Sequence, residues 1–385
     1  METTLIAEKV EQAKDAVGAS EADAWLTFCR ETNEIAEPCL PYILGFDVVW
    51  PTAIVIGPAH STVILGTHDS PNAEELDVHE VKPYDESIRE PLQATLSGLD
   101  AEKIAVNFDR DDNVADGLTH GLYLRLQELL PGRELVSAGD IISEVRGIKS
   151  PTEQERITAA AETTADLLDG LAEEWTPEMT EAEAADWLHE RMREAGYASA
   201  WSWDYCPTVH AGGDSDPGHT LPGELRVPEG ELLHVDFGVV KDSYAADIQR
   251  IWVRGEPEPG LQAAFEDVRA AIDAGHEALE PGAVGYEVDA AAREELTARG
   301  RETFDHGFGH QVGRTAHDGG LLLGPQWDRY GDSVVGDVRP GELYTMELGL
   351  DTKWGYVGQE EMVRVTEDGT EFVVEPQTEL RRLSE

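Results

Sequence analysis

Seven residues in the second half of this sequence have types and spacings that could assemble a metal centre. Asp236 and Asp247 sit in the apolar stretches His234–Val240 and Ser243–Ile248, separated only by Lys241-Asp242. If these stretches form a hairpin turning at Lys241-Asp242, Asp236 lies directly opposite Asp247. Cross-strand Cβ atoms are about 4.5–5.5 Å apart, where two like charges destabilise a sheet. A divalent cation between them would reverse that sign. Leu343–Leu350 and Val357–Thr366, folded about Lys353-Trp354, place Glu347 opposite Glu360 in the same way. With 78 acidic residues in the chain, facing carboxylates also arise by chance. Their apolar settings argue for a function, because an unpaired charge buried there is costly.

The histidines discriminate better, since the chain has only 12. Three of them, His306, His310 and His317, fall in Asp305–Gly320 among five glycines. Glycine there lets backbone approach a site closely. Imidazole together with carboxylates suits manganese, cobalt, iron or zinc better than calcium.

The elements that must carry these groups are legible around them. Ser150-Pro151-Thr152-Glu153 has the cap, first-turn proline and capping-box glutamate of a helix start, and a helical pattern follows to about Glu174. Thr180 opens a second helix ending near Gly196, and two more are expected over about Pro259–Leu279 and Gly285–Arg299. Strands are expected over Leu232–Val240, Ser243–Val253, Leu343–Leu350 and Val357–Thr366. Helices grouped around hairpins, without regular βαβ alternation, predict an α+β domain. Residues 1–149 mix helix and strand signals, including a hairpin of Ala53–Gly57 with Ser61–Leu65, and hold no catalytic cluster.

Composition narrows the setting. At 385 residues the chain is long enough for two domains. The formal net charge of −49, with only seven lysines, should repel nucleic acid and anionic membranes. The acid is spread over both halves, which reads as adaptation to very high salt, where the screening length falls to about 3 Å. No apolar run is long enough to span a bilayer, and Met1–Ala16 lacks a signal peptide's apolar core, so a cytoplasmic location is expected. Cys29, Cys39 and Cys206 have no metal-type spacing and are expected as buried thiols.

At the residues that could hold metal, the sequence resembles the pita-bread metallopeptidases: methionine aminopeptidase, prolidase, aminopeptidase P and creatinase. Asp236 in Val-Asp-Phe-Gly and Asp247 in Tyr-Ala-Ala-Asp-Ile-Gln-Arg match the group's two aspartates. His310 matches its histidine ligand, and Glu347 and Glu360 match its two glutamates. His219 in Pro-Gly-His-Thr-Leu-Pro and His317 match two histidines that contact substrate. The resemblance covers the whole chain. It implies a pita-bread catalytic domain over 150–385, preceded by a creatinase-type α/β domain over 1–149.

It also implies two divalent ions, manganese first, held by Asp236, Asp247, His310, Glu347 and Glu360. A hydroxide bridging them would attack the Xaa-Pro bond of a dipeptide or a peptide N-terminus. His219 and His317 would stabilise the oxyanion, and Glu347 would pass the proton towards the leaving nitrogen. A homodimer is implied as well. An alternative is hydrolysis or lysis of a small osmolyte-like amide, as creatinase-type members of the fold perform.

Three departures fall where substrate is chosen. The usual Glu-Pro-Gly is Glu347-Leu348-Gly349, His-Glu-x-Pro is replaced by His317-Asp318-Gly319-Gly320, and the arginine two before the final glutamate is Gly358. Arg314 is the candidate replacement for that arginine. Trp203, with Trp201 and Tyr205, could line a recess for the proline ring, and His306 and His210 could touch substrate.

Overall fold

The computed structural model describes residues 3–216, 218 and 220–384, and the chain divides into two compact units, Met1–Ile148 and Lys149–Glu385.

In the first unit the strands are β1 (Ala24–Cys29), β2 (Thr52–Ile56), β3 (Ser61–Gly66), β4 (Glu80–Tyr84), β5 (Lys103–Val106) and β6 (Glu134–Ser137). They form one mixed sheet in the order β4-β3-β2-β1-β5-β6. Its helices are α1 (Thr3–Ala19), α2 (Leu40–Ile43), α3 (Ser70–Leu76), α4 (Arg89–Gly98), α5 (His120–Leu129) and α6 (Gly139–Gly147). Every residue of β1 is buried, as a central strand covered on both faces requires. Leu26 and Phe28 join Leu96 of α4 and Leu126 of α5 in one core. Trp25 joins Val10 of α1 and Ile142 of α6 in the other. The hairpin expected at Ala53–Gly57 and Ser61–Leu65 is present as β2 and β3.

In the second unit α7 (Pro151–Glu174) and α8 (Glu181–Ala195) both begin with complete capping boxes, Ser150 with Glu153 and Thr180 with Glu183. Each box satisfies two backbone donors that a helix start otherwise leaves unpaired. The strands are β7 (Ala198–Ser199), β8 (Thr208–Ala211), β9 (Leu232–Phe237), β10 (Val239–Lys241), β11 (Tyr244–Ala245), β12 (Ile248–Val253), β13 (Leu343–Thr352), β14 (Gly355–Thr366), β15 (Gly369–Phe372) and β16 (Arg381–Arg382). A small sheet β11-β10-β7 accompanies a larger one in the order β13-β14-β12-β9-β8, with β15 on β14 and β16 on β12. Helices α9 (Pro259–Ala278) and α10 (Gly285–Ala298) contribute Phe265, Ile272, Val288 and Leu296 to a core with Met346, Leu348, Val357 and Val363.

Strand alternation therefore decides what faces the site. On β14, Val357, Glu361 and Val363 point towards α9, which leaves Tyr356, Gly358 and Glu360 on the opposite face. Cys29, Cys39 and Cys206 are all free and buried. Among the described residues, no helix is long and apolar enough to cross a membrane.

Candidate metal centre

The C-terminal hairpin has the expected register. Thr352 pairs with Gly355 around Lys353-Trp354, and Glu347 pairs with Glu360. The first hairpin corrects the expectation. Its turn is Asp242-Ser243, not Lys241-Asp242, and both turn residues have positive φ, 49° and 69°. Positive φ at both central positions is the type I′ arrangement, whose twist matches that of the flanking strands. The shift puts Asp236 opposite Gln249, with Asp247 two residues further along and diagonal to it. A local break makes this possible: Gly238 lies so close to the Ala246 carbonyl that a Cβ there would overlap it.

Pairing of Gln249 with both Asp236 and Glu360 joins the two hairpins edge to edge. His310 reaches them from a third segment. Thr345 N–H donates to the His310 carbonyl at 2.8 Å and Glu347 N–H to the Phe308 carbonyl at 2.7 Å, so Phe308–His310 runs along the edge of β13. Asp289 of α10 holds this segment from behind by accepting the Phe308 N–H at 3.1 Å.

Among the described residues the outcome is three overlapping groups whose possible ligand atoms lie within 4.8 Å of one another: Asp236, Asp247 and Glu360; His310, Glu347 and Glu360; and Asp247, His310 and His317. His310 Nε2 is 3.8 Å from one oxygen each of Asp247, Glu347 and Glu360. That is too long for hydrogen bonds. It is the kind of spread found when ligand atoms about 2.0–2.2 Å from an ion surround it. Asp236 Oδ1 and Glu360 Oε1 are buried with no hydrogen-bond partner among the described residues. The unpaired Glu360 oxygen facing an imidazole nitrogen, with the unpaired Asp236 oxygen in the adjoining all-carboxylate group, fits bound cations, and carboxylate with imidazole is a donor set for manganese, iron, cobalt or zinc.

Without a cation the cluster is electrostatically strained. Burial, and then the charge of Glu347, push Asp236 up to about 8. Burial lifts Glu347 to about 7. Burial and the neighbouring carboxylates hold Asp247 and Glu360 well above the usual range. Burial pushes His310 down to about 3, which keeps its imidazole neutral and able to ligate. A carboxyl whose folded pKa is raised makes the folded state bind more protons than the unfolded one between the two values, so stability falls as pH rises through that window. For protein stripped of metal, the raised carboxyls are expected to lower the melting temperature between about pH 6.5 and pH 8, above the range in which buried His310 and His234, held neutral in the fold, oppose them. Metal should remove most of that fall, because cations hold the carboxylates ionised. Calorimetric scans with and without chelator check this, and identical pH profiles would refute the assignment.

Gln249 is a residue of the candidate site that the reading of the sequence missed. Its amide nitrogen donates to Glu347 Oε2 at 2.9 Å and to Glu360 Oε2 at 3.2 Å, and its oxygen faces His234 Nε2 at 3.0 Å. Only the corrected hairpin register could have revealed it. His234 in turn stacks on His210, Nδ1 to Nδ1 at 3.1 Å.

His317 is exposed, its ring 4.2 Å from that of His310. Its loop is anchored by the buried pair of Asp318 with Lys149 at 2.7 Å. His306 is half-buried beside Phe304, with its Nδ1 2.8 Å from the Gly307 carbonyl. Arg314 lies over the Tyr244 ring, and Trp203 packs edge-on against His189 and beneath Arg193 of α8. His219 lies outside the described residues.

Residues 155–367 match metallopeptidase family M24. The chain belongs to that family. An Xaa-Pro dipeptidase of Pyrococcus furiosus is 28% identical over 265 residues, 68% of this chain and 73% of the relative. Two solved structures share the fold. An Xaa-Pro dipeptidase from Bacillus anthracis superposes with a TM-score of 0.78 at 22% identity, over 98% of this chain and 100% of the other. An X-Pro aminopeptidase from Thermotoga maritima does so at 0.75 and 23%, over 97% and 99%. This M24 protein therefore has the pita-bread metallopeptidase fold, with its N-terminal unit ahead of the matched region, as the resemblance implied.

Proposed function

We propose that this M24 metallopeptidase is a dinuclear Xaa-Pro peptidase, with Asp236, Asp247, His310, Glu347 and Glu360 as metal ligands. The observation that carries the reading is the overlap of two ligand groups, Asp236–Asp247–Glu360 and His310–Glu347–Glu360, on the shared Glu360. Two such groups meeting on one carboxylate could hold adjacent ions, with Glu360 available to both. When bound, the cations would supply Lewis acidity and an activated water near neutral pH.

The chain's own residues complete the chemistry. Gln249 fixes both glutamates by donating to their Oε2 atoms. Glu347 is assigned the transfer of a proton to the leaving nitrogen by its sequence match, a role that a side chain 22% exposed supports, where those of Glu360 and Asp247 are 2% and 8%. His317, exposed beside His310, stands where it can donate to the oxyanion. His219 is assigned the same role by its sequence match alone, and His306 is assigned to substrate contact. Manganese as the native ion, a homodimer and a cytoplasmic setting belong to the same reading.

Metal analysis followed by turnover tests it. Two ions per chain and cleavage of Xaa-Pro peptides in molar salt are expected with manganese; absence of turnover with manganese or cobalt present would sink the proposal. The net charge of −49 supports a salt-adapted protein. Its melting temperature should rise from dilute buffer to molar salt, and an unchanged value would count against that adaptation.

A further inference from the structure

Gly349 and Gly358 are cross-strand partners, and together they form a notch on the site face of the C-terminal hairpin. Tyr356 lies in it. A Cβ on either glycine would collide with the tyrosine ring, and at Gly349 with its hydroxyl as well. The ring is pinned from the side by His234, edge to face at 5.1 Å and 89°. The hydroxyl therefore sits over Gly349, two residues along β13 from Glu347. Among the described residues it has no hydrogen-bond partner, and Tyr356 is only half-buried. A tyrosine hydroxyl keeps its proton at neutral pH, so it can donate.

We propose that Tyr356 is the specificity residue for the group after the scissile bond, taking an uncharged amide carbonyl there and disfavouring a free carboxylate. The inference rests on the peptidase reading and names the substrate class within it. Two residues of strand separate the notch from the Glu347–Glu360 pair by about 7 Å. In a peptide, three bonds carry the chain from the scissile carbonyl carbon to the next one, roughly 3.5 Å. A hydrogen bond of about 2.8 Å from that next oxygen covers most of the remainder. One neutral hydroxyl satisfies one amide carbonyl. A carboxylate needs a cation or several donors to replace its water. Exposed Asp351, outside the proposed ligand set, pairs directly with Tyr356 across the hairpin and would repel a carboxylate there. The favoured substrates are thus peptides that continue beyond the residue following the cleaved bond, or are capped there.

Ala-Pro and Ala-Pro-NH2 share a scissile bond and differ only in this group. With metal-loaded full-length protein, kcat/KM is expected to be about tenfold or more higher for the amide. Tyr356→Phe keeps the ring in its notch and should bring the ratio close to one with metal content unchanged. Asp351→Asn, on the exposed side, should narrow the ratio by improving the acid. Calorimetry with prolinamide and proline, which are not cleaved, should show the same preference in binding and its loss in Tyr356→Phe. Faster turnover of the acid, or a ratio surviving in Tyr356→Phe, would overturn this inference and leave the peptidase reading standing. No turnover of either compound would overturn both.

Discussion

Glu360→Gln is expected to lose at least one of two bound ions and to cut kcat/KM by more than about 10³-fold. The size of the effect follows from position. Glu360 belongs to two of the overlapping ligand groups, so its carboxylate would serve both ions of the proposed pair. Glutamine preserves the shape but removes the charge, and it turns an acceptor-only group into one that also presents an N–H2 to the cation. The same substitution should stabilise the metal-free protein. Glu360 Oε1 is buried and unpartnered, and its carboxyl is held well above the usual range by burial and by Asp247, Glu347 and Asp236. Removing one of four crowded carboxylates relieves that repulsion. Metal titration, peptide turnover and the melting temperature with chelator check the three parts together. A metal-free melting temperature that fell would mean that Glu360 is structural, and two ions retained with high activity would refute its assignment as a ligand.

The next residue is expected to behave in the opposite way. Glu361 points away from the site, fully buried, between Arg250 at 2.9 Å and Arg269 at 3.3 Å. It also accepts the Gln377 N–H at 2.8 Å. Glu361→Gln leaves the buried Arg250 guanidinium without its counter-charge, and Arg269 with only Asp273 at 2.6 Å. Breaking a buried charge pair typically costs about 3–5 kcal/mol. In a unit of this size that lowers the melting temperature by on the order of 10 °C. The loss should be the same with and without chelator, since Glu361 faces α9 and not the ions. Equilibrium unfolding in both conditions measures it. A change below about 1 kcal/mol would show that Arg250 does not depend on the Glu361 charge. The contrast between adjacent glutamates, one costing activity and the other stability, is a consequence of strand alternation.

Much of this was legible in the residues, though unevenly. Glu347 and Glu360 could be paired correctly because a two-residue turn sets hairpin register from local sequence alone, and Lys353-Trp354 is such a turn. The helix starts at Ser150 and Thr180 were legible for a similar reason: a capping box is complete within four residues. Asp236 and Asp247 were rightly brought together but wrongly paired. Lys241-Asp242 and Asp242-Ser243 are both plausible turns, and the choice depended on φ values and on the break at Gly238. Gln249 and Tyr356 were not visible as site residues. Their positions depend on the corrected register and on the glycine notch.

What the sequence by itself determined is the inventory and its local geometry: four carboxylates on hairpins, three histidines in a glycine-rich run, and membership of a metallopeptidase group through their order. These follow from turns, caps and alternation, whose range is a few residues. What only the tertiary structure decided is their meeting. Gln249 pairs with Glu360 across 111 positions of chain, and Phe308–His310 joins the edge of β13, because the α9 and α10 core buries one face of the sheet and leaves the other to the ligands. Contacts between distant segments are selected by burial of the whole sheet, and no window of sequence holds that information. The seven residues that could do chemistry are written locally, while the convergence of five of them in overlapping groups is a property of the fold.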